Sequence, residues 1–118
     1  MSNHRQHQLC EQILVDALRA EDPVLAVHTA ASHRDVSAEL RQALQRIDPD
    51  GLRMTALLVA RLRFERLLQG STLASAWFES DPERFTRAFR AYHEQVPLRA
   101  FFPQQEARAF ARWYKQNQ

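Results

Sequence analysis

The stretch Ser80-Asp81-Pro82-Glu83-Arg84-Phe85-Thr86-Arg87-Ala88-Phe89-Arg90-Ala91-Tyr92-His93-Glu94-Gln95-Val96-Pro97 decides the fold class. Its opening combines an N-cap, a proline whose fixed φ suits the first helical turn, and an early acid that complements the helix dipole. Phe85, Phe89, Tyr92 and Val96 then follow at i, i+4, i+7 and i+11, the spacing of one buried helical stripe. Pro97 stops the helix because it offers no amide proton and crowds the preceding turn.

Working outward, the same period recurs and sustained alternation of period two does not. Upstream, Ser71 starts a short helix carrying Trp77 and Phe78. Before it, Leu52 to Gln69 is the most apolar helix, with Leu57, Leu58, Leu62, Leu67 and Leu68 expected inward and Gly70 expected in a left-handed closing position. Asp48-Pro49-Asp50-Gly51 reads as a turn. Ser32 with Asp35 reads as a capping pair for a helix through Val36, Leu40, Ala43, Leu44 and Ile47. Residues 24–31 read as a short helix rather than a strand, since a lone strand has no partner in this sequence. Glu21-Asp22-Pro23 ends a first helix over residues 5–20, which aligns Leu9, Ile13, Leu14, Ala17 and Leu18. Downstream, Leu98 to Phe102 forms an apolar connector, and Pro103 opens a last helix through Ala107, Phe110, Trp113 and Tyr114. The expectation is an all-α fold, a compact bundle of five to seven short helices built as one helical domain over residues 1–118 around one core.

Composition bounds the function. Cys10 is alone, so no internal disulfide is available, and no apolar run follows the N-terminus. Secretion and membrane insertion are therefore not suggested, and the cytoplasm is the expected compartment. The longest apolar run, Ala56 to Ala60, falls far short of the roughly 20 residues of a membrane span. Charge is uneven. Residues 84–118 carry six Arg and Lys115 against Glu94 and Glu106, a net +5, whereas the first 83 residues net −3. All eleven aromatics lie at or after Phe64. A basic, aromatic half of this kind suits an acidic partner.

Signals for chemistry are sparse. His4, His7 and Cys10 are spaced three apart and could face one stripe as zinc or copper ligands, but they lack a fourth ligand and sit at a terminus prone to fraying. A polar helix end explains them more simply, and no metal site is assigned. His28, His33 and His93 have no evident partner to make any of them a general base. Glu79, Asp81 and Glu83 straddle a helix start, where capping accounts for them. No nucleophile elbow, phosphate loop or zincin motif occurs, so no catalytic or cofactor-binding residue is assigned. Arg and aromatic residues together raise nucleic-acid binding. The aromatics fall on core stripes, however, and Arg84, Arg87 and Arg90 recur as on a solvated face, which weighs against that reading. Two adjacent phenylalanines between Pro97 and Pro103 are the sharper feature. One of Phe101 and Phe102 can join Trp113 or Tyr114 in an exposed aromatic patch, or both can plug separate gaps in the core.

The later half also resembles a known protein type. Arg63-Phe64 with Leu67 and Gly70-Ser71, Trp77-Phe78 with Asp81-Pro82, Tyr92-His93 with Val96-Pro97, and Phe101-Phe102-Pro103 with Glu106-Ala107 together resemble partner subunits of multinuclear non-haem iron oxygenases. Those enzymes act on ribosomally made peptides, including the pathway that builds 3-thiaglutamate on a carrier peptide. The resemblance implies a non-catalytic accessory subunit that binds the larger oxygenase, its peptide substrate, or both, with the iron held by the partner and no cofactor in this chain. Arg63, Trp77, Tyr92, His93, Arg99, Phe101, Phe102, Trp113 and Tyr114 are the residues expected to contact partner or peptide. Several such partners capture leader peptides on a winged-helix sheet edge, and this sequence offers no convincing strand for that. The competing expectation is a stand-alone helical regulator that binds nucleic acid.

Overall fold

The computed structural model of the chain describes residues 2–100 and 102–118. The described residues form seven α-helices and no strand: α1 (Ser2–Arg19), α2 (Pro23–Ala31), α3 (Ala38–Gln45), α4 (Pro49–Gly70), α5 (Thr72–Ser80), α6 (Pro82–Gln95) and α7 (Pro103–Gln116). The all-helical class and the number of helices agree with the sequence, and residues 24–31 are helical within α2. No helix among the described residues is long and apolar enough to cross a membrane.

An Asp-Pro pair opens three of these helices, and the chemistry is the same each time. Proline fixes φ at the first helical position, and the preceding aspartate accepts an otherwise orphaned amide proton. Asp22 accepts from the Leu25 N–H at 3.1 Å, Asp48 from the Gly51 N–H at 3.1 Å, and Asp81 from the Arg84 N–H at 3.2 Å. The Asp48–Gly51 segment, expected as a turn, is therefore the first turn of α4. A second correction concerns α3. Its N-cap is Ser37, whose Oγ accepts the Leu40 N–H at 3.1 Å, whereas Ser32 stands at the C-terminus of α2. Both serines precede apolar periodicity, and only the later one leaves room for the turn that Gln6 and Arg41 hold. The Gln6 side chain brackets that turn at the Asp35 carbonyl and the Ser37 N–H. Arg41 donates to the carbonyls of Ala31 (2.8 Å), which the end of α2 leaves open, and of Val36 (3.2 Å) in the turn itself.

The chain divides into two compact units, Met1–Val59 and Ala60–Gln118, with the division inside α4. Where the sequence reading assumed one core, the buried apolar residues form two clusters. The first contains Ile13 and Ala17 of α1, Val27 and Ala31 of α2, Val36 of the turn that follows α2, Leu40 and Leu44 of α3, and Leu52 of α4. The second contains Leu67, Ala74, Phe85, Phe89, Tyr92 and Phe110, with Phe64, Trp77, Phe78 and Trp113 packed on them. Its rings meet edge-on: Phe64 stands against Phe78, Phe85 and Phe89 with centroids 5.1 to 5.7 Å apart, a favoured quadrupole geometry.

Helix α4 departs most from expectation. Leu57, Leu58 and Leu62, expected inward, are exposed together with Met54, while Leu52, Ala56, Arg63 and Leu67 occupy the buried side. Leucine surrounds this helix, so hydrophobicity alone does not single out a face, and the inward position at 63 goes to an arginine with a buried counter-charge. Gly70 also differs. No described glycine has positive φ, so it is not a left-handed cap. Its missing side chain instead admits the Pro103 carbonyl oxygen, which lies 2.0 Å from where a Cβ would stand.

Candidate functional site

The second unit holds a polar cluster inside its aromatic core. The stripe of α4 that buries Leu67 also carries Arg63, and the stripe of α7 that buries Phe110 carries Glu106 four residues earlier. These opposite charges meet: Arg63 Nε donates to Glu106 Oε2 at 3.0 Å, with both side chains about 1% exposed. A buried ion pair of this kind is costly to desolvate and survives only when its remaining donors and acceptors are also satisfied.

They are satisfied by neighbours from three elements. Glu106 also accepts the Tyr92 hydroxyl on Oε2 and two bonds from Arg66, from Nε at 3.3 Å and Nη2 at 3.2 Å, on Oε1. Arg63 Nη1 donates to the Val96 carbonyl at 2.7 Å and contacts His93 Nδ1 at 3.3 Å, and Nη2 donates to the Pro97 carbonyl at 3.3 Å. The guanidinium lies over the Tyr92 ring, 4.3 Å from its centroid, in cation–π contact. Because arginine only donates, Nδ1 of His93 is an acceptor, which assigns the imidazole proton to Nε2. The same ring stacks on Phe89 at 5.6 Å and 10°. Burial first, and then the hydrogen bond to Glu106, push the Tyr92 hydroxyl well above its ordinary pKa, so the phenol stays protonated.

The segment between α6 and α7 is held at both ends, by the cluster at the first and by other contacts at the second. Arg63 holds the Val96 and Pro97 carbonyls where α6 stops. At the far end, Gln105 Oε1 accepts the Phe102 N–H at 3.1 Å, and Gly70 lets Pro103 close onto the end of α4. Phe102 stands between these grips with 63% of its surface exposed, and Arg99 on the same segment is exposed.

The expected partner-contacting residues therefore fall into three sets. Arg63, Tyr92 and His93 are brought together, but inside the unit, where their side chains are held away from any partner. Trp77, Trp113 and Tyr114 are half-buried within one aromatic array. Trp77 and Tyr114 centroids are 5.1 Å apart, and Trp113 Nε1 donates to Gln95 Oε1 at 2.9 Å. Arg99 and Phe102 are exposed; Phe101 lies outside the described residues. Glu106 and Arg66 were missed as cluster members. The available signal was that Glu106, Phe110 and Trp113 stand at i, i+4 and i+7, which puts a carboxylate on a core stripe.

Chemically, the cluster is closed. Arg66, about one quarter exposed, is its contact with solvent, and the carboxylate it reaches is already engaged. Elsewhere, His33 Nδ1 accepts the Asp35 N–H at 3.2 Å as part of a local turn. Among the described residues no three His, Cys, Asp or Glu side chains gather as metal ligands, His4, His7 and Cys10 included. Set against protein-family models, curated proteins and solved structures, the chain matches none.

Proposed function

We propose that the chain is a non-catalytic accessory subunit that docks on a larger enzyme through the segment between α6 and α7. The observation that carries this reading is Phe102, a large aromatic side chain 63% exposed on a segment gripped at both ends. Exposed aromatics are the commonest anchors of protein interfaces, and an anchor already fixed in place loses little entropy on binding. The buried Arg63–Glu106–Tyr92 cluster supports this role by holding the backbone rather than by reacting. Arg99 beside Phe102 suits an acidic partner surface or an acidic peptide.

The resemblance of residues 63–107 narrows the partner to an iron oxygenase that modifies a ribosomally made peptide. In this reading the iron and its ligands belong to the oxygenase, and the present chain positions enzyme, peptide or both. Peptide capture by strand addition finds no strand among the described residues, so a peptide would meet helices and the Phe102 segment instead. Nucleic-acid binding has weaker support, because the rings it needs for stacking are largely packed against one another.

Co-expression with the enzyme encoded beside it tests the proposal. Co-purification with that oxygenase, or micromolar binding of its peptide substrate, is the expected result. A chain that elutes alone and binds no peptide contradicts it.

A further inference from the structure

We infer that the outward face of α7 binds an acidic peptide segment through Arg108, Arg112 and Lys115. The three stand at i, i+4 and i+7 of one helix, and all are exposed. With 3.6 residues per turn they fall within an arc of about 60° opposite Glu106 and Phe110, and at 1.5 Å per residue they make a row about 10 Å long. Elsewhere in the second unit each helical arginine has an acid close by. Arg61 pairs with Glu65 at 3.2 Å, and Arg63 and Arg66 share Glu106. On α6, Arg84, Arg87 and Arg90 each have an acid three or four residues away, at Asp81, Glu83 and Glu94.

The row on α7 has no such answer. Over residues 95–118 the one acid is Glu106, which the buried cluster already uses. None of the three cations is ion-paired among the described residues, and Arg112 instead has cations at i−4 and i+3. Like charges at those spacings repel and weaken a helix. The helix dipole favours Lys115 and Arg112 near the C-terminus, but it does not account for Arg108 in mid-helix. Carboxylates lined up along the row would relieve the repulsion. A linear acidic peptide fits better than other polyanions. Phe102, 63% exposed at the N-terminal end of α7, offers such a chain an apolar contact, and Arg99 before it adds a fourth exposed cation. Single-stranded nucleic acid needs free ring faces, whereas Trp77, Trp113 and Tyr114 pack against other rings. An anionic membrane needs an apolar flank to insert, and the apolar side of α7 lies in the core. This inference rests on the docking proposed through Phe102 and names the chemistry of what lies beside it.

Fluorescence anisotropy of the full chain tests it, with a labelled peptide of about twelve residues that carries Glu at every third or fourth position and one Phe, in about 50 mM salt. Micromolar binding is expected. It should weaken about tenfold when Gln replaces Glu in the peptide, and about tenfold for Arg108→Glu. Because Arg108→Glu sets an acid four residues before Arg112, it exchanges a repulsion for an attraction, and the thermal midpoint should hold or rise. Arg112→Gln is the milder second variant and should weaken binding about threefold. Equal affinity for the Glu and Gln peptides, variants that bind as tightly as the native chain, or tighter binding of a thymidine oligonucleotide of equal charge or of phosphatidylserine vesicles each overturns the inference. The assay contains no oxygenase, so its failure refutes the row on α7 and leaves docking through Phe102 to be decided by titration of the Phe102→Ala variant.

Discussion

Glu106 is the residue on which the second unit turns, since it accepts from Arg63, Arg66 and Tyr92 at once. Removing its charge strands Arg63 in the interior, and loss of one partner of a buried pair costs about 3–5 kcal/mol. Glu106→Ala is thus expected to lower the unfolding free energy by that amount in urea titrations. Replacing both partners, Arg63→Met with Glu106→Leu, should recover most of it, because no uncompensated charge is left inside. Tyr92 gives the pH dependence. Its folded pKa is raised above the unfolded 10.0, so the stability from its protonated form is complete below pH 10 and declines as pH climbs beyond it. Tyr92→Phe loses a hydrogen bond to a charged acceptor, a deficit of about 1.5–3 kcal/mol at pH 7. Stability measured against pH should show the gap between native and variant narrowing above pH 10; a constant gap would contradict the assigned protonation.

At the scale of elements, Gly70 separates two explanations of a helix-terminal glycine. Were it there for backbone freedom, alanine would be mildly unfavourable at most. Because the Pro103 carbonyl lies 2.0 Å from the Cβ position, Gly70→Ala must push α7 off the end of α4. A loss of about 1–3 kcal/mol in thermal unfolding is expected, typical of overpacking. Gly51→Ala serves as the comparison, since its nearest neighbour is a side-chain oxygen of Asp48 at 3.1 Å rather than backbone at 2.0 Å, and it should cost less than Gly70→Ala. These elements also show how far the sequence could be read. Asp-Pro pairs and the Phe85–Phe89–Tyr92 stripe are local signals, and they locate α2 and α6 closely. The outward side of α4 was not legible because leucine lies all around it, and the face is chosen by what Leu52, Arg63 and Leu67 contact far along the chain. The Arg63–Glu106 pair was half legible: each charge sits on an apolar stripe, but their meeting across 43 positions is a tertiary fact.

For the whole molecule, the two clusters divide the labour of stability, and the basic, aromatic half uses most of its rings in its own core. Far less of the candidate site than of the fold was legible. Nine residues were expected to contact a partner, and the structure buries Arg63, Tyr92 and His93, because conspicuous aromatic and charged types serve interiors as well as surfaces. Phe102 and Arg99 are left as the exposed pair on a held segment, and the proposed docking rests on them. The most direct test is calorimetric titration of the proposed partner, a peptide-modifying iron oxygenase, with the native protein and with Phe102→Ala. Truncating an interface anchor costs at least about 2 kcal/mol, so the variant should bind about 30-fold more weakly while its unfolding midpoint stays unchanged. Equal affinity for both proteins would contradict the account.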